Sequence, residues 1–105
     1  MSERPLLRIK RCCLTGRLVF TEKADDERVS SGLTRDDVRE AIVNAPAVYK
    51  TLRSRSGRQR RTERLYVILG ITHDAVLVYT KGALRRFQGE EHFYVLVSAK
   101  RSVED

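Results

Sequence analysis

Two hydrophobic periods divide this chain near Pro46. Before it, apolar residues return every three or four positions, as on one face of a helix; after it they alternate with polar ones, as on a strand. Ser2 suits a helix cap and Pro5 a first turn, Leu6, Ile9 and Cys13 recur at helical spacing, and Gly16 supplies the stop. After the apolar run Leu18 to Phe20, Thr21 caps a second segment, EKADDERVSSG, in which only Ala24 and Val29 read as buried and Gly32 closes the helix. The strongest helix signal is LTRDDVREAIVNAP. There Thr34 can cap, Asp36 and Asp37 suit the positive N-terminal end, and Val38, Ala41, Ile42 and Ala45 form one stripe.

From Ala47 onward four stretches alternate as strands do: AVYKTL, ERLYVILGI, AVLVYTK and FYVLVSAKR. THD, residues 72 to 74, is short enough for a hairpin loop, and residues 53 to 62 form a polar, basic loop around Gly57. A longer, looser connection is expected from Lys81 to His92. The pattern predicts one α+β domain over residues 1 to 105, with three N-terminal helices packed on one face of a four-stranded antiparallel sheet.

Composition narrows the class. At 41% hydrophobic and 33% charged, the chain is too apolar for a disordered tail and too charged for a membrane protein. The N-terminal MSERPLLRIKRCC lacks the apolar centre of a secretory signal, so a cytoplasmic protein is expected. Cys12 and Cys13 are adjacent, which suits neither a disulfide nor a zinc site and reads as two reduced thiols on a helix, one of them buried. The net charge of +7 is unevenly held: residues 1 to 45 carry 9 Lys or Arg against 8 Asp or Glu, and residues 46 to 105 carry 12 against 6. A positive surface confined to one region favours a polyanionic partner, most often nucleic acid.

No metal-ligand spacing, glycine-rich phosphate loop or Ser/His/Asp set is present, so no cofactor or metal is expected. His73 and His92 fall at strand or loop ends and read as surface residues, and the carboxylates crowd into the helices. What remains is tyrosine and lysine on the strands: Tyr49 and Lys50, Tyr66, Tyr79 and Lys81, Tyr94 and Lys100. Metal-free RNA cleavage needs a base for the 2′-hydroxyl, an acid for the leaving 5′-oxygen and cations for the phosphoryl charge. Lysine, arginine and tyrosine can fill all three roles.

The order IKRCCLTGRLVFTEKA, GLTRDDVREAIVNAPAVYKTLRS and ERLYVILGITHDAVLVYTK resembles the MqsR-type messenger-RNA interferase toxins, within the wider RelE-like group. The likeness covers residues 6 to 81 and rests on a first helix ending in glycine, a helix followed by a tyrosine-lysine pair, a strand tyrosine and a strand-closing lysine. It implies a RelE-like fold, a metal-independent endoribonuclease acting on messenger RNA, free or on the ribosome, and a companion antitoxin protein. It points to Lys50, Tyr66 and Lys81 as the catalytic set. Arg53, Arg55, Arg58, Arg60, Arg61, Tyr79, Arg85 and Arg86 would then bind RNA. Two other readings fit the same charge: a non-catalytic RNA- or ribosome-binding module, and a protein-interaction domain with an acidic partner.

Overall fold

A computed structural model describes residues 4–55, 62–87 and 91–102, without the side chains of residues 54, 55, 62, 87 and 91. Its elements run α1 (Pro5–Leu14), β1 (Leu18–Phe20), α2 (Glu22–Ser30), α3 (Arg35–Asn44), β2 (Lys50–Arg55), β3 (Thr62–Ile71), β4 (Leu77–Phe87) and β5 (Glu91–Arg101).

The helices start and stop where local chemistry dictates. In α3 the Thr34 hydroxyl accepts from the Asp37 backbone N–H at 3.0 Å, while the Asp37 carboxylate accepts from the Thr34 N–H at 2.9 Å, a reciprocal cap. Thr21 caps α2 through the Ala24 N–H at 3.2 Å. In α1, Pro5 occupies the first turn with no side-chain cap from Arg4, and Ser2 lies outside the described residues. Gly16 and Gly32 follow α1 and α2 with φ of 77° and 74°, the left-handed conformation that glycine adopts without penalty. Both thiols of α1 are buried, not one. Burial pushes the Cys13 thiol up to about 12 and raises that of Cys12 despite the nearby Arg17, so both stay protonated at neutral pH.

The four-stranded antiparallel sheet expected from the alternation is corrected to a five-stranded mixed sheet, ordered β1-β5-β4-β3-β2. β1 pairs in parallel with β5, with Val19 opposite Val95, and it falls between α1 and α2, so the helices are not one uninterrupted N-terminal block. The connection after Lys81 is also corrected, because β4 continues to Phe87 and Lys81 sits in mid-strand. Ser98 opposes Lys81 and Leu96 opposes Gly82, which leaves Val97 as the extra residue of a bulge. The turn after β3 closes at Thr72, whose N–H donates to the Val76 carbonyl at 3.0 Å, with Ala75 at a φ of 64°.

One side of the sheet carries all three helices. Ile68, Val78, Tyr94, Leu96 and Ala99 meet Ile9, Cys12, Ala24, Val38 and Ile42 in one cluster. Val29, expected in the core, is 64% exposed, since α2 is held to β5 by polar contacts as much as by apolar ones. The Glu27 carboxylate accepts from the Ser98 hydroxyl at 2.6 Å and from the Ala99 N–H at 3.1 Å. Partial burial pushes this carboxyl up, yet those two donors and the charges of Lys23 and Lys100 outweigh it and hold the group below its ordinary 4.5. A depressed carboxyl stabilises the fold above its unfolded value and loses that contribution as pH falls through the folded one. The wild type is therefore expected to lose more thermal stability than Glu27→Gln between about pH 7 and about pH 3, as read by parallel melting curves. Equal losses would show that Glu27 does not couple folding to protons.

Candidate nucleic-acid interface

Strand alternation sorts the basic residues onto two faces. Tyr66 and Leu84 pack against the helix-bearing core, and Tyr94 lies fully within it. Arg64 and Arg86, two residues along from Tyr66 and Leu84, share that side, as does His92, two before Tyr94. Register completes the group: Arg53 lies directly opposite Arg64, and Arg86 opposite His92. The result is a basic ledge on the helix side of the sheet. Arg53, Arg64 and Arg86 are exposed or partly so, whereas Tyr66 and His92 are half-buried at its inner margin.

Specific contacts fix that margin. The Tyr94 hydroxyl donates to the Tyr66 carbonyl at 3.2 Å, and the Cys12 thiol donates to the His92 carbonyl at 3.3 Å, tying β5 to β3 and to α1. Burial raises the Tyr94 phenol far above its ordinary value, so it acts as a fixed donor. The Arg86 Nε donates to His92 Nε2 at 3.3 Å. Like charges placed directly opposite in a ladder are unfavourable, and no ion pair among the described residues engages Arg53 or Arg64. Such a pair matches what phosphate asks for: planar guanidinium forks with donors to spare.

The three residues expected to act together are divided. Lys50 and Lys81 lie on either side of Val67, each in register with it, on the face away from the helices. Tyr66 occupies the helix side, so it cannot share one phosphate with them. Tyr79 belongs with the lysines, its ring 5.6 Å from the Lys100 ammonium. Arg85 is also on the lysine side and is engaged: its Nε and an Nη donate to the two Glu63 oxygens, both at 2.9 Å. Arg55 ends β2 opposite Thr62, and Arg58, Arg60 and Arg61 lie outside the described residues. Sequence reasoning misses Arg64 and His92 as site residues. Arg64 could be found by counting back two positions from Tyr66, but its register with Arg53 is a long-range property.

A shallow groove of about 380 Å³ beside α3, lined in part by Asp36, Arg39, Glu40 and His73, is a weaker candidate. Its charges are satisfied within the chain, Arg39 to Asp36 at 2.6 Å and His73 to Glu40 at 3.3 Å. Among the described residues no three His, Cys, Asp or Glu side chains gather as a metal centre, and no helix is long and apolar enough to cross a membrane.

No protein-family model, curated protein or solved structure matches the chain.

Proposed function

We propose that this protein is a cytoplasmic RNA-binding domain that holds RNA phosphates on the helix-side ledge. The observation that carries the reading is the Arg53–Arg64 cross-strand pair, two guanidinium groups side by side with Tyr66 next along the strand face. Arginine supplies phosphate contacts and the half-buried tyrosine a rim on which an unpaired base can stack, a combination suited to single-stranded RNA. Messenger RNA, free or on the ribosome, is the substrate class that fits.

A second reading, the metal-independent endoribonuclease of a toxin–antitoxin pair, is favoured by the gathering of Tyr66, His92 and Arg86 on the same ledge. In that chemistry the 2′-hydroxyl gives up its proton and attacks phosphorus, and the 5′-oxygen leaves with a proton, producing a 2′,3′-cyclic phosphate. Lys50 and Lys81 take no part in it. Incubating the protein with unstructured RNA in EDTA separates the readings. Retention that falls steeply with salt and yields no new ends is the expected result. New cyclic-phosphate ends abolished by Tyr66→Phe would establish the nuclease, and no retention even at low salt would remove RNA altogether.

A further inference from the structure

The sheet face away from the helices is apolar where a solvated face should be polar. An antiparallel sheet with helices on one side ordinarily alternates hydrophobic-in with polar-out. Here the outward positions at the sheet centre are Leu65, Val67 and Leu69 of β3, Ala83 of β4 and Val95 of β5. None belongs to the core cluster under the helices, and among the described residues no helix covers them. Val67 is nonetheless 0% exposed and Val95 4%, shielded only by neighbours on the same single layer.

We propose that this face docks an amphipathic helix of a partner protein, apolar along its centre and acidic along its flanks. Charge complementarity selects that occupant. Lys50 and Lys81 flank Val67 in register, and no ion pair among the described residues engages either. Lys100 adds a third positive group over Tyr79. Glu63, the carboxylate whose side chain is described on this face, is already clamped by Arg85. Lysine stems extend an apolar floor while their ammonium heads stay at its rim, so a helix seated on Val67 meets hydrocarbon below and cations on both sides. A second copy of this chain would set lysine against lysine. RNA would find an aliphatic floor with few donors and little to stack on, and the polar ledge lies on the opposite side.

The probe is a fluorescein-labelled synthetic helix of about five turns, leucine on one face and glutamate elsewhere, beside a counterpart with lysine in place of glutamate. The glutamate peptide should bind the wild type, bind Lys50→Glu/Lys81→Glu at least about tenfold more weakly, and leave RNA retention unchanged; the lysine peptide should not bind. Circular dichroism checks folding, and Lys50→Gln/Lys81→Gln, with a smaller loss in the same direction, replaces the reversal if that variant unfolds. No binding of the glutamate peptide, or equal binding of both peptides, overturns the proposal. So does a dimer in sedimentation that Leu69→Asp dissociates, which assigns the face to a second copy, or loss of RNA retention in the lysine variants, which assigns it to RNA.

Discussion

Gly70→Ala is expected to lower the melting temperature by roughly 12 to 24 °C, a loss of about 3 kcal/mol at about 4 to 8 °C per kcal/mol. Gly70 lies in β3 directly beneath α3, and a Cβ built there would fall on the Ala41 carbonyl and within 3.1 Å of the Ala41 Cα. The obstruction is backbone, which has no rotamer to move into, so α3 must lift away and give up the burial of Val38, Ala41 and Ile42 that anchors it. Gly32 provides the control: at a φ of 74° with nothing within 4 Å of a built Cβ, its replacement by alanine costs only backbone strain, about 1 kcal/mol. Melting curves of the two variants against the wild type check the claim. Similar small shifts in both would contradict the close packing of α3 on β3.

Gly70 also marks what the sequence could and could not disclose. Its place in a strand is legible from the alternation of ERLYVILGI, but the identity of the backbone crossing over it is not, because that contact joins residues far apart in the chain. The α3 stripe and its Thr34 cap are legible because both depend on residues within a few positions. β1 escapes notice as a strand because three residues cannot show a period, and its pairing partner β5 lies some seventy residues on, Leu18 opposite Tyr94. Extension of β4 through RRF is hidden by charge. Those positions alternate correctly, but Arg85 is neutralised by Glu63 from β3, which local reading cannot see. The division of Lys50, Tyr66 and Lys81 follows from register as well. Alternation alone puts Tyr79 and Lys81 on one side, whereas relating β2 to β3 and β4 requires knowing that Val67 opposes both lysines.

The second large effect is expected on the ledge. Replacing both Arg53 and Arg64 with alanine should weaken RNA binding by about tenfold or more and reduce the salt slope by about 1.4, at roughly 0.7 for each single-strand phosphate no longer neutralised. Stability should move the other way. The two guanidinium groups oppose one another in the ladder, so removing them relieves repulsion by about a few tenths of a kcal/mol. Weaker binding by a fully folded variant separates a phosphate site from a structural pair. Lys50→Ala/Lys81→Ala, which removes the same charge from the opposite face, should leave both the affinity and the slope as they are.

The most direct test is therefore a salt titration of binding to an unstructured RNA for the wild type and these two double variants. A shallower slope for Arg53→Ala/Arg64→Ala alone is the predicted result; a slope unchanged there and reduced for Lys50→Ala/Lys81→Ala would contradict the assignment of RNA to the helix side.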